Sequence, residues 1–319
     1  MMGVTARVLV GDVRDRLAAV EAGSVQTCVT SPPYWGLRDY GNEGQIGLEG
    51  TPEEFVESLC LVFDEVWRVL ADDGTLWLNL GDSYNSSASN QNGTGNTTVT
   101  GGRHDRGGER RKGLLTDALP VKSLVGIPWR VAFALQARGW VLRSEIIWAK
   151  PNPMPESVTD RPTKSHEHIF LLAKSSKYFY DHEAIKEPVV TENAGKNIRF
   201  GGTKYGDSDD PKHDTKSGNV YEATETRNKR DVWTVPTKGY DGAHFAVYPT
   251  ALIEPCILAG SREGDTVLDP FSGSGTTGVV ALRNGRNYLG CELNPEYAEL
   301  SRKRISDDCG MFGEVTVDE

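Results

Sequence analysis

The chain lacks the cysteine spacing of a metal or redox motif: its five cysteines, Cys28, Cys60, Cys256, Cys291 and Cys309, include no C-x-x-C pair. That argues against a zinc site or a disulfide scaffold and leaves free thiols as the expectation. The helical spacing H-E-x-x-H is missing as well; the nearest run is His166-Glu167-His168, so no metal is expected. No long uninterrupted apolar run and no N-terminal signal pattern occurs, which gives a cytoplasmic protein without a membrane span as the expectation. An excess of basic residues is also missing. The formal net charge is −10, whereas phosphate contacts draw on positive surface. A nucleic-acid groove would have to be locally basic, and the clusters on offer are Arg103 to Lys112 and Arg227 with Asn228 to Arg230; each is otherwise a solvated surface.

What is present begins with ordinary globular composition, 319 residues with 38% apolar and 25% charged content, enough for one large or two modest domains. The most informative stretch is Thr30-Ser31-Pro32-Pro33-Tyr34-Trp35, directly after the apolar run Val25 to Val29. Two successive prolines fix φ and remove two N–H donors, so Ser31 and the carbonyls around it become acceptors that no neighbouring strand claims. Tyr34 and Trp35 add flat faces beside those acceptors, which suits a planar ring bearing an amine. In isolation such a corner is better read as a proline-rich surface turn whose aromatics cover the core.

A second motif narrows the choice. Asp269-Pro270-Phe271-Ser272-Gly273-Ser274-Gly275-Thr276-Thr277-Gly278 follows the strand-like run Thr266 to Leu268 and opens a helical run, Thr277 to Leu282. Glycines at such a turn let the backbone approach a nucleotide-like ligand at a helix N-terminus. The spacing Gly273-x-Gly275-x-x-Gly278 also satisfies a dinucleotide fingerprint, leaving an NAD-dependent oxidoreductase as a remote alternative that does not explain the proline corner. A phosphate-binding Walker loop is excluded, because Val279 stands where lysine is required. A non-catalytic nucleic-acid binder explains neither motif.

Together the two motifs resemble the DNA amino-methyltransferases, which move a methyl group from S-adenosyl-L-methionine to an exocyclic nitrogen of cytosine or adenine. Their order, with the proline corner ahead of the glycine motif, is similar to the circularly permuted β class, and the resemblance runs from about Leu9 to about Ile305. It implies an α/β, Rossmann-like methyltransferase fold, circularly permuted, with a mostly parallel sheet, helices on both faces and an inserted recognition region. It implies catalysis at Ser31, Pro32, Pro33 and Tyr34 without a covalent intermediate. Ser31 Oγ and the adjoining carbonyl would accept the amine hydrogens and localise its lone pair, while Tyr34 stacks on the flipped base. Cofactor contacts are expected from Thr30, Asp269, Phe271, Gly273, Gly275, Thr276, Thr277 and Glu292, the last as acceptor for ribose hydroxyls, and from His244 and Ala246 beside the methionine end. Asp12 is either a further cofactor contact or a helix N-cap. DNA contacts are expected from Trp35, Arg227, Lys229 and Arg230. Lys150 and Asn152 of Trp148-x-Lys150-x-Asn152 either join them beside the target base or belong to a plain linker. The implied partners are double-stranded DNA and a cognate restriction endonuclease. Serine before Pro-Pro-Tyr is associated in the family mainly with N4-cytosine, aspartate or asparagine with N6-adenine, so Ser31 points to cytosine, with adenine as the alternative.

In chain order, strands are expected at Ala6 to Val10, Val25 to Val29, Thr75 to Leu80, Val141 to Trp148, His168 to Leu172, Thr266 to Leu268 and Asn287 to Gly290. Helices are expected at Val13 to Val20, from the cap Thr51 to about Leu70, over Pro120 to Arg138, at Leu252 to Leu258 and from Pro295 to Ile305. Asp72-Asp73-Gly74 reads as a turn, and Cys256 as buried and inert. One strand after the glycine motif cannot complete a parallel sheet alone, so N-terminal strands must join it. The expected catalytic domain comprises residues 1–180 and 232–319, with a polar, mobile loop at 83–113 and a recognition insertion at 181–231.

Overall fold

In the computed structural model of the protein, the structure describes residues 3–37, 41–42, 44–85, 119–189, 198–200, 219–221, 225–237, 247–310 and 313–318. The loop expected to be mobile at 83–113 lies outside the described residues beyond position 85, and so do His244 and Ala246.

The first half of the chain supplies β1 (Val4–Val10), α1 (Val13–Ala18), β2 (Val25–Thr30), α2 (Pro52–Val69), β3 (Leu70–Leu80), α3 (Ile127–Ala137), β4 (Val141–Ala149) and β5 (His166–Ala173). Short strands follow, β6 (Glu187–Pro188), β7 (Ile198–Phe200), β8 (Asn219–Tyr221), β9 (Thr226–Arg227) and β10 (Val232–Thr234). The chain then forms α4 (Thr250–Gly260), β11 (Thr266–Asp269), α5 (Thr276–Arg283), β12 (Asn287–Glu292), α6 (Pro295–Cys309) and β13 (Gly313–Asp318). A nine-stranded sheet runs in the order β10-β4-β5-β3-β2-β11-β12-β1-β13, and β5 alone is antiparallel to its neighbours. The expected joining of N-terminal strands to the glycine-motif strand is found in the pairing of β11 with β2, where Val267 faces Thr27 and Leu268 faces Cys28.

Period-two alternation sorts the sheet residues between two helical layers. Leu9, Cys28, Leu76, Leu78, Phe170, Leu268 and Leu289 enter one core with α1, α2 and α3. On the other face α4, α5 and α6 pack against β2, β11 and β1. The α2 helix shows why sequence specifies such packing: a Thr51–Glu54 capping box and Pro52 start it, and Phe55, Leu59, Val62, Phe63, Val66 and Val69 bury one stripe. Each fully buried side chain of this kind contributes about 1.5–3 kcal/mol. No helix among the described residues is long and apolar enough to cross a membrane.

Three local expectations are corrected. The helix expected from Pro120 begins at Ile127, because Lys122 (φ 72°) and Gly126 (φ 78°) adopt left-handed conformations that interrupt a helix. Asp72, Asp73 and Gly74 are not a free turn but a bulge inside β3, where the pairing jumps from Val25–Leu70 to Thr27–Thr75. Two strands, not one, follow the glycine motif, since β13 adds parallel to the outer side of β1.

By contact density the chain divides into two compact units, residues 1–181 with 231–319 and residues 182–230. Within the smaller unit β6 pairs with β9 and β7 with β8, both antiparallel. Glu187 accepts from Arg227 Nε at 2.8 Å and Arg230 Nε at 2.6 Å across the first pair.

Candidate active site

Parallel pairing places the C-terminal ends of β1, β2, β3, β4, β11 and β12 on one edge of the sheet, where open α/β sheets bind ligands. The antiparallel β5 brings its N-terminal end to the same edge. Gly11-Asp12, Ser31-Pro32-Pro33-Tyr34, Gly81-Asp82, Lys150, the glycine loop, Glu292 and Glu167 therefore gather there from segments far apart in sequence.

The glycine loop is anchored from behind. Ser272 N donates to Cys291 O and Gly275 N to Ser272 O, each at 2.8 Å. Arg304 on α6 donates to Ser274 O at 3.0 Å and Thr276 Oγ1 at 2.8 Å. Gly275 is required twice over: its φ is 73°, and a Cβ there would lie 2.3 Å from Ser301 Oγ. Beneath the loop Asp269 is 1% exposed. Its carboxylate accepts from Thr30 Oγ1 (2.6 Å), Phe271 N (3.1 Å), Thr277 Oγ1 (2.7 Å) and Tyr248 OH (3.1 Å). Burial pushes its pKa up against those four donors. The side chains of Thr30, Asp269 and Thr277 thus brace the loop from inside, and Thr276 is bound to Arg304. Tyr248 belongs to the same buried network, although sequence reasoning assigned it no role; the phenol bond to a motif aspartate carries no local sequence signal.

Glu292 ends β12 on the open side of the loop. Its Oε2 accepts from Gly273 N at 2.8 Å and its Oε1 from Asn294 N at 3.0 Å. Burial outweighs these bonds and raises its pKa to about 7. Phe271 is half-buried beside the loop. Asp12 caps α1 by accepting from Arg14 N at 2.9 Å and pairs with the Arg14 guanidinium, which holds its pKa below the usual range. Of the two readings of Asp12, the N-cap is the one its bonds display.

At the end of β2, Pro32 is buried and Ser31, Pro33 and Tyr34 are half-buried. The Tyr34 hydroxyl donates to Glu167 Oε2 at 2.6 Å and lies 3.4 Å from Asn79 Oδ1. Desolvation first, and the Glu167 charge second, raise its pKa well above the ordinary value, so the phenol keeps its proton. Its ring rests on the Gly81 backbone, where a Cβ would come within 2.5 Å of Cε2.

Several expected DNA contacts are corrected or found engaged. Trp35 is 3% exposed, sits in the main core and donates its indole N–H to Glu49 O at 3.0 Å, so it cannot reach a base. Lys150, expected either beside the target base or in a plain linker, forms an ion pair with Glu167, with side chains 18% and 14% exposed, and its Nζ lies 4.2 Å from the Trp148 ring centroid. Asn152 is exposed, but its amide clasps the Thr237 backbone through Nδ2 to O at 3.0 Å and N to Oδ1 at 2.9 Å. Arg227 and Arg230 share Glu187, with the half-buried Lys229 between them.

Sequence reasoning also passed over Asp82, whose carboxylate accepts from Gly126 N and Ile127 N, both at 3.0 Å, and so starts α3 from 44 residues upstream. His168 Nδ1 lies 2.6 Å from Glu145 Oε1. Among the described residues no group of three or more His, Cys, Asp or Glu side chains is placed to hold a metal. Cys256 is buried, with its thiol directed at Leu252 O.

A family model described as DNA methylase matches residues 25–303. The type II methyltransferase M.SmaI of Serratia marcescens is 47% identical over 307 residues, covering 94% of this chain and 90% of the relative. M.Cfr9I of Citrobacter freundii is 46% identical, covering 93% and 87%. Among solved structures, a candidate DNA modification methylase from Thermus thermophilus complexed with S-adenosyl-L-methionine superimposes with a TM-score of 0.59 at 25% identity, over 98% of this chain and 99% of that one. The PvuII DNA methyltransferase, described as cytosine-N4-specific, shares the fold with a TM-score of 0.62 at 18% identity, over 99% and 95%.

Proposed function

Because the chain belongs to the N6/N4 DNA methylase family, we propose that this DNA methyltransferase modifies N4 of cytosine in a specific duplex sequence. The observation that carries the reading is the β2–β11 pairing, which sets the Ser31 corner beside the glycine loop. The serine ahead of Pro-Pro-Tyr supports cytosine over adenine.

S-adenosyl-L-methionine is the cofactor and supplies an electrophilic methyl carbon on a sulfonium. The chain's residues fit it. The Glu292 carboxylate is fixed by one backbone N–H on each oxygen, and a carboxylate has about four acceptor sites, so capacity remains for two ribose hydroxyls. Asp269, Thr30, Thr277 and Arg304 hold the loop that faces the cofactor. Ser31 Oγ and the Pro32 carbonyl accept the two hydrogens of the exocyclic amine, drawing its lone pair out of conjugation and directing it at the methyl group. Tyr34 stacks on the base once it has left the duplex. Residues 182–230 supply sequence recognition, and the type II designation of the relatives supports a restriction endonuclease of the same specificity as partner.

Mass spectrometry of nucleosides from methylated duplex DNA tests the target. N4-methylcytosine is expected; N6-methyladenine without N4-methylcytosine would overturn the cytosine assignment.

A further inference from the structure

Glu167 sits at the start of β5, where the ends of β2, β3 and β4 converge. Its two oxygens are engaged differently. Oε2 accepts the Tyr34 hydroxyl hydrogen at 2.6 Å, and Oε1 pairs with Lys150 Nζ. Lys150 cancels a charge whose partial burial would otherwise be unfavourable. Asn79, which holds the His168 carbonyl through Nδ2 at 3.1 Å, borders the phenol from the β3 side, and Gly81 seats the ring. The Tyr34 ring is therefore set by its oxygen and by its face.

Direction is the second consequence. An ionised carboxylate only accepts, so the Tyr34 hydrogen must point to Glu167. We propose that Glu167 is a positioning residue for methyl transfer: held by Lys150 and accepting the Tyr34 hydroxyl hydrogen, it fixes the Tyr34 ring in the place where it stacks on the target base. This rests on the reading of Tyr34 as the residue that stacks on the flipped base. It also gives the Lys150 of the Trp-x-Lys-x-Asn run a function through Glu167 rather than through DNA.

The test measures single-turnover methyl transfer at saturating DNA and cofactor for wild type, Glu167→Ala, Glu167→Gln, Tyr34→Phe and the double variant Tyr34→Phe/Glu167→Ala. Calorimetric cofactor affinity reports on folding. Glu167→Ala should slow transfer about tenfold or more while cofactor affinity stays within about twofold, the pattern of an interaction that acts on the transition state and not on ground-state binding. Glu167→Gln, nearly isosteric and able to turn an N–H toward the phenol, should also lose rate, so the result does not depend on the alanine variant folding. In the Tyr34→Phe background the Glu167→Ala change should cost less than about twofold, because coupled residues are non-additive. A wild-type rate in Glu167→Gln, or a full loss repeated in the Tyr34→Phe background, overturns the proposal while leaving the methyltransferase reading intact. A wild-type protein that methylates no duplex DNA overturns that reading, and the proposal with it.

Discussion

Replacing Glu292 with glutamine should uncouple cofactor binding from pH. In the free protein the Glu292 pKa is raised to about 7 from an ordinary 4.5. Because the folded-state value is the higher one, the folded cofactor-free protein binds the proton more tightly than the unfolded chain. This group's contribution to stability is therefore full below pH 4.5 and is lost as pH rises through 7, a difference of roughly 3 kcal/mol. On the proposed reading of Glu292 as the ribose ligand, the cofactor should reverse that trend, since hydroxyl donors favour the ionised carboxylate. If only the ionised form accepts both ribose hydroxyls, its share rises from about a tenth at pH 6 to about nine tenths at pH 8, and affinity should climb about tenfold across that interval. Glu292→Gln removes the titration and one acceptor. It should weaken binding by about 1.5–3 kcal/mol at pH 8 and by less at pH 6. Calorimetric titrations of both proteins from pH 6 to 8 supply the check, and subtracting the variant's profile removes ionisations of the cofactor itself. Parallel profiles for the two proteins, or unchanged affinity in the folded variant at pH 8, would refute the reasoning.

Trp35→Ala should lower unfolding stability by about 3–5 kcal/mol, as for a buried aromatic, and leave the DNA affinity of the folded fraction unchanged; denaturant melts with binding assays would show the reverse if Trp35 touched DNA. Exchanging residues 182–230 for the matching segment of a relative with different specificity should transfer that relative's methylation site, and an unchanged site would locate recognition outside this unit.

Sequence disclosed most where a motif combined backbone chemistry with spacing. The double proline of Pro32-Pro33 and the Gly273–Gly278 run mark strand ends unambiguously, and Thr51-Pro52-Glu53-Glu54 marks a helix start by local bonds alone. It failed where the deciding partner is distant. Trp35 resembles an exposed recognition aromatic until the Glu49 carbonyl takes its N–H. The start of α3 depends on Asp82, outside any local window. Glu167 lies in a His-Glu-His run that invites a question about metals, whereas strand alternation turns its carboxylate toward Tyr34, away from the face on which His168 stacks with Phe170. The β13 strand is short and only partly buried, so it gives no strong apolar pattern.

The order of strands in the sheet also governs when the protein can exist. β1, the first strand of the described chain, lies between β12 and β13, the last ones, and β2 waits for β11 on one side. The Thr30–Asp269 bond joins residues 239 positions apart. Such topology slows folding, because a long loop must close before the contacts that reward it can form. During synthesis α2 and β3 can settle on β2 early, while β1 remains an unpaired edge until residues near 287 emerge. The Ser31 corner and the glycine loop are thus united only once β11 has been made. A product truncated before β11 presents open strand edges suited to capture by chaperones or proteases, and lacks the glycine loop altogether.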